Sequence, residues 1–221
     1  MNRKQIVLLK LMGLPILFIF MNIIFLLFEQ EVFTTSETLL PILLIFTFIG
    51  IDIVIRPISE KKDEYNRLVI SISFLALPIM LFLPYIEGQI LIQNQFFMKV
   101  IGLTSLIGNV ILVVGGAILV LSRIQTGEYG GPKIVIEDKH RLITTGLYRY
   151  IRHPMYSGFL LLFFGYSFSF GSIIITVLIL IIFFVIFKSR MDLEEKLLLS
   201  SFGEEYQSYI ERTNRLIPFL Y

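Results

Sequence analysis

The sequence predicts an all-α integral membrane protein with about six membrane helices, and three observations carry that prediction. Hydrophobic residues make up 56% of the 221 positions and charged ones only 16%, with a mean hydropathy of +0.81. Soluble domains lie nearer half apolar and a quarter charged. Apolar runs recur at the length needed to cross about 30 Å of hydrocarbon, roughly 20 helical residues. Finally, all but Lys99 of the 19 basic residues fall in four segments, the first three separated by pairs of apolar runs and the last two by one run of double length.

The runs are Leu11–Phe28, Leu39–Ile55, Leu68–Ile86, Val100–Leu121 and Met155–Phe187. Arg3, Lys4 and Lys10 precede the first. No small-residue cleavage site follows it, so it is expected to be kept as a span. The fifth run holds no charge over 33 residues. As one straight helix it would measure about 50 Å, well beyond the bilayer. Its centre, from Ser167 to Ser172, is rich in Ser, Phe and Gly and prone to turn. Two antiparallel helices, about 156–168 and 172–188, are expected there as a C-terminal hairpin.

Basic residues collect on cytoplasmic loops. An even number of spans with both termini cytoplasmic accounts for their distribution. The 29–38 loop, with three Glu and no basic residue, is then external. The polar residues concentrate in 122–153 and 188–221, which flank the hairpin and meet at one membrane face. The chain divides into a four-helix membrane region, 1–121, and a polar-rich region, 122–221.

Composition excludes several chemistries. A net charge of +2 gives no nucleic-acid footprint. Zero Cys removes disulfides and thiolate catalysis, and with only His140 and His153 no metal centre is expected. No Rossmann fingerprint is present.

Between the fourth and fifth runs lies a string dense in His, Tyr and Arg. Pro154 suits the first turn of a helix, which makes His153 its start. Free amides and a positive dipole end gather there and favour an anionic group. Arg149 and Arg152 add charge, although Tyr and Arg at a membrane boundary also serve as plain anchors. After the fifth run, Met191, Leu198, Phe202, Tyr206 and Tyr209 recur at helical spacing, an amphipathic C-terminal helix. Glu194 and Glu195 fall on its apolar stripe. There they meet Arg152, Arg190 or a cationic ligand, or else Glu194 forms a solvated pair with Lys188 or Arg190. Asp52, four residues before Arg56, is expected to form a local ion pair. Asn22 and Asn109 are expected to bridge helices.

From about His140 to Leu220 the chain closely resembles the isoprenylcysteine carboxyl methyltransferase family. The resemblance rests on His140-x-Leu142-Ile143-x-x-Gly146-x-Tyr148 and Arg152-His153-Pro154-x-Tyr156-x-Gly158. After the run come Arg190, Glu194-Glu195, Phe202-Gly203-Glu204-Glu205-Tyr206-x-x-Tyr209 and Leu216-Ile217-Pro218-Phe219. The phospholipid N-methyltransferases share a related Arg-His-Pro-x-Tyr-x-Gly signature, so the resemblance extends to that wider superfamily. It implies a membrane-embedded methyltransferase that uses S-adenosylmethionine (SAM) from the cytoplasmic side and takes a lipophilic or lipidated acceptor from the bilayer. It places cofactor contacts on His140, Arg141, Leu142, Ile143, Tyr148, His153, Pro154, Met155, Tyr156 and Glu194. Arg190 then lies near the acceptor, with Arg152 and Glu195 as further catalytic candidates. Arg190 or Arg152 would orient a carboxylate acceptor, and Glu195 would take a proton from an amine or phenol. The alternatives are a phospholipid or amine N-methyltransferase, a sterol-type reductase using NADPH, and a transporter. A transporter would carry polar residues at mid-membrane, whereas here they sit at one face.

Overall fold

The computed structural model describes residues 36–55, 79–127 and 141–217. The expected first span, Asn22, Arg56, His140 and the start of the Leu68–Ile86 run lie outside them. The described residues are helical, with no strand among them and a single isolated bridge between Ile151 and Asn214.

Helix α1, Ser36–Ile55, turns Ile42, Ile45 and Asp52 inward, while Leu40, Leu43, Ile51 and Val54 stay exposed. The inward residues follow helical spacing, and an apolar outer face is what lipid requires. Helix α2, described over Ile79–Leu91, buries Leu81 and Tyr85 one turn apart. Helix α3, Gln95–Thr126, begins where the Asn94 side chain accepts the Phe96 amide at 2.9 Å. It ends at Gly127, whose N–H returns to the Arg123 carbonyl. Helix α4, Pro154–Ser169, leads through residues 170–173 into α5, Ile174–Phe202. After Gly203 comes the short α6, Glu204–Glu211.

The longest shared seam joins α3 to α4, and it is built on glycine. A methyl group on Gly165 would lie 2.3 Å from the Leu112 amide nitrogen, and one on Gly115 2.4 Å from that of Leu162. On Gly158 it would meet Leu119 N at 2.7 Å, and on Gly108 it would meet Ser169 N at 2.5 Å. The two backbones therefore approach to a distance that only a missing Cβ permits, the way small residues let helices associate in lipid.

A polar link ties α1 to this seam. Arg123 on α3 donates from Nε to Asp52 on α1 at 2.8 Å, with both side chains under 5% exposed. Asp52 thus has a tertiary partner at the helix interface, while Arg56, its expected local partner, lies outside the described residues. Asn109 donates to Ser105 one turn back on its own helix at 3.4 Å.

The turn after α4 passes through Gly171 at φ 69°, a conformation that glycine adopts without penalty. Beyond it Glu87 of α2 caps α5 from outside. It accepts the amides of Ile173, Ile174 and Ile175 at 3.1, 2.8 and 2.8 Å and the Ser172 hydroxyl at 2.5 Å. Glu87→Ala leaves those donors unpaired and is expected to cost about 1–2 kcal/mol, the upper part of the range for a lost cap. Thermal unfolding in detergent checks this. An unchanged midpoint would mean that the cap contributes nothing.

Helix α5 runs on to Phe202, past the expected end near 188. The charge pattern changes at Lys188 but no breaker appears before Gly203, so the end of the uncharged run and the helix end fall at different places. Stacked rings hold α5 to α4, Phe163 on Phe183 and Tyr156 on Phe187, each at 4.8 Å between centroids.

Candidate active site

Three pieces converge beyond the apolar part of α5: the approach to α4, the charged half of α5, and the segment that follows α6. The approach begins with a short 3-10 turn, Gly146–Arg149. Gln125, near the end of α3, accepts the Leu147 amide at 3.0 Å, and the Gln125 side chain occupies the space where a Gly146 side chain would stand. Tyr209 of α6 donates to the Tyr148 carbonyl at 2.6 Å. Tyr148 is buried, and that burial pushes its phenol above the ordinary range despite Arg123 and a hydrogen bond with Thr126.

The chain then pairs with its own C-terminal segment. Asn214 N–H donates to Tyr150 O, Arg152 N–H to Asn214 O and His153 N–H to Arg215 O, at 2.8–3.1 Å. The Ser157 hydroxyl donates to Leu216 O at 2.5 Å. Leu216 is buried against Tyr156, Phe187 and Met191. Residues 213–217 thus form a strap across the start of α4.

Under the strap, α5 presents its charged residues. The His153 ring stands between the two glutamates, with Nε2 3.0 Å from Glu195 Oε1 and Nδ1 3.6 Å from Glu194 Oε2. Arg152 donates from Nε to Glu195 Oε1 at 3.0 Å, and its Nη1 donates to the carbonyls of Ile210 and Thr213. Arg215 reaches both oxygens of Glu195 at 3.2 Å. Burial alone would raise the Glu195 carboxyl. The His153 hydrogen bond and charge, with Arg152 and Arg215, bring it down to about 2.

Glu194 makes a second, smaller cluster. Tyr156 donates to its Oε1 at 2.6 Å. Arg190, one turn earlier on α5, donates from Nε to the Tyr156 oxygen at 2.7 Å and to Glu194 Oε1 at 3.1 Å. Among the described residues Glu194 Oε2 meets only the His153 ring, and the side chain keeps 23% of its surface exposed.

The structure therefore gathers six of the residues expected at the site: Arg152, His153, Tyr156, Arg190, Glu194 and Glu195. Pro154 is buried at the first turn of α4, and Met155 is half-buried beside it. Leu142 and Ile143 are half-buried and Arg141 is exposed on the stretch leading to the 3-10 turn. Sequence reasoning missed Arg215 and Asp192, which are joined at 2.5 Å, and the docking roles of Gln125 and Tyr209. Arg215 directly precedes the Leu216-Ile217-Pro218-Phe219 motif, and that adjacency was its only signal.

Comparison with known proteins places this arrangement. A family model described as phospholipid methyltransferase matches residues 103–205, from within α3 into α6. A rice protein (Oryza sativa subsp. japonica) named "Probable protein-S-isoprenylcysteine O-methyltransferase" is 35% identical over 118 residues, 52% of this chain and 62% of that one. The chain is similar to proteins of the isoprenylcysteine carboxyl methyltransferase family. A second relative, protein-S-isoprenylcysteine O-methyltransferase B of Arabidopsis thaliana, is 28% identical over 165 residues, covering 73% of this chain and 82% of the relative. The solved structure of a eukaryotic intramembrane Ras methyltransferase, an isoprenylcysteine carboxyl methyltransferase, superposes with a TM-score of 0.63. It covers 84% of this chain and 66% of that chain at 20% identity, a likeness of fold. The matched stretch spans about six-tenths of the rice relative's length.

Proposed function

We propose that the chain is an integral-membrane, SAM-dependent methyltransferase of the isoprenylcysteine type, esterifying the carboxylate of a lipophilic acceptor. The observation that carries this is the engagement of every acid–base group in the site. Glu195 is held by three cationic or hydrogen-bonding partners and ionises near 2. A carboxylate held that low is a poor proton acceptor near neutral pH. Glu194 already accepts from Tyr156 and Arg190. An amine or phenol must lose a proton during methylation, whereas a carboxylate reaches the site ionised and needs none removed. The arrangement favours the carboxylate.

The residues also suit the methyl donor. SAM, when bound, supplies an electrophilic methyl group on a sulfonium and carries an ammonium and a carboxylate. Glu194 Oε2 retains capacity for the ammonium, as its other oxygen takes both hydrogen bonds. The Tyr156 ring, stacked on Phe187, offers an aromatic face to the sulfonium. The positive dipole end at the start of α4 suits the carboxylate. His140, Arg141, Leu142, Ile143, Tyr148 and Met155 complete the donor pocket in this reading. The Arg190 guanidinium, hydrogen-bonded to Tyr156, stands ready to orient the acceptor carboxylate. Holding acceptor and methyl group aligned is then the main catalytic task.

In this reading residues 1–121 are the four-helix membrane region and residues 122–221 carry the catalysis. The charge distribution puts the site and both termini on the cytoplasmic side, with the acceptor's lipid tail entering from the bilayer. Calorimetry with SAM tests the donor assignment. Glu194→Gln is expected to weaken SAM binding by about 1.5–3 kcal/mol, the range for a hydrogen bond to a charged group. The same change at the exposed Glu211 should do little. Equal losses at both positions, or NADPH binding in place of SAM, would contradict the assignment.

A further inference from the structure

Glu195 is held from three directions, and one of its partners comes from a part of the chain to which no role has been given. Arg152 and His153 approach from the start of α4, Arg215 comes from the strap, and Tyr206 of α6 packs within its field. Asp192 and Glu194 flank it on its own helix. Arg215 makes the widest grip. Its Nη2 lies 2.5 Å from Asp192 Oδ1 and 3.2 Å from Glu195 Oε2, and its Nε donates to Glu195 Oε1 at 3.2 Å. The Arg215 hydrogen bond also holds Asp192 below the ordinary carboxylate range. Asp192 is 41% exposed, so the grip runs from the rim of the site to its half-buried centre. The backbone is tied in as well, since Arg215 O accepts the His153 amide.

We propose that Arg215 is a positioning residue for methyl transfer: its fork fixes the Glu195 carboxylate, which in turn sets the direction of Arg152 and His153 at the site. Glu195 Oε1 is shared by Arg152, His153 and Arg215, whereas Oε2 is satisfied by Arg215. Without Arg215, Oε2 loses that partner, and Arg152 is the nearest flexible cation able to swing toward it. The role rests on the methyltransferase reading. It deepens that reading by making the C-terminal strap part of the acceptor side of the site.

The test uses the full-length chain in nanodiscs, with S-prenylated cysteine as the acceptor. Arg215→Met should lower kcat/KM for the acceptor by roughly tenfold to a hundredfold, the scale of a small misplacement of a reacting group. SAM affinity should fall by less than transfer does, and the thermal midpoint should drop by no more than a few degrees. Arg215→Lys keeps the charge without the fork and should lose less. Carbon-13 labelling of glutamate carboxyls gives a readout that needs no activity. The Glu195 midpoint, assigned with Glu195→Gln, should rise from about 2 by about one unit in Arg215→Met as an opposing charge is withdrawn. Acceptor kinetics at the parent level in Arg215→Met, or equal falls in transfer, SAM affinity and thermal midpoint, would overturn the proposal. If Arg215→Met fails to fold, parent-level transfer in Arg215→Lys overturns the two-point grip. A parent protein that neither binds SAM nor transfers a methyl group overturns the methyltransferase reading instead, while the carboxyl titration still decides whether Arg215 holds Glu195.

Discussion

Gly165→Ala is expected to destabilise the protein by about 3 kcal/mol, the upper end of the range for overpacking a tight interior. The added methyl group would lie 2.3 Å from the Leu112 nitrogen and 2.6 Å from the Gly108 carbonyl oxygen. Both neighbours are backbone, so no side chain can rotate away, and α3 and α4 would have to separate. Gly102, on the same helix α3, has nothing within 4 Å of the equivalent position. Gly102→Ala should be neutral or slightly stabilising, since alanine is the better helix former by up to about 1 kcal/mol. Unfolding of the two variants in one detergent gives the comparison. Equal midpoints would mean that the seam is not close-packed.

Asp52→Ala is expected to cost about 3–5 kcal/mol, because it takes the buried carboxylate away from the buried Arg123 guanidinium. The loss should reach the site as well. Arg123 is followed by Gln125 and Thr126, the α3 residues that dock the 146–149 turn. Replacing both partners, as in Asp52→Leu with Arg123→Met, should recover most of the stability, since a buried ion pair is often matched by well-packed apolar residues. A single variant that unfolds at the parent midpoint would show that the pair does not hold α1 against α3.

These two features also mark where the sequence stops being readable. Apolar runs located α1, α3, α4 and α5, because lipid imposes a length and a polarity on any segment that crosses it. The seam between α3 and α4 was not legible. Gly108 and Gly115 share a seven-residue step with Gly158 and Gly165, but nothing in either run says that it pairs with the other. Asp52 shows the same limit. Its nearest basic residue in sequence is Arg56, and nothing nearby signals Arg123, a partner 71 positions away.

The candidate site was more legible, because much of it is local. Arg190 and Glu194 are one helical turn apart, and Arg152, His153 and Tyr156 lie within a single turn's reach at the start of α4. Meeting of the two groups followed from the apolar run between them. Arg215 escaped notice because a lone arginine near a membrane face is indistinguishable from a lipid anchor until the strap folds back. The end of α5 was misplaced for a related reason: hydropathy measures the bilayer, and the helix continues until Gly203 at φ 52°.

The central claim is methyl transfer from SAM to a carboxylate, and the stability of the product bond tests it directly. The purified chain, incubated with methyl-labelled SAM and S-prenylated cysteine, should yield a lipophilic labelled product that releases its label as volatile methanol in mild alkali, as a methyl ester does. Label that enters the lipid fraction but resists alkali would show an N-methyl or aryl ether product and contradict the carboxylate assignment, and no incorporation above a Glu194→Gln control would contradict the methyltransferase account itself.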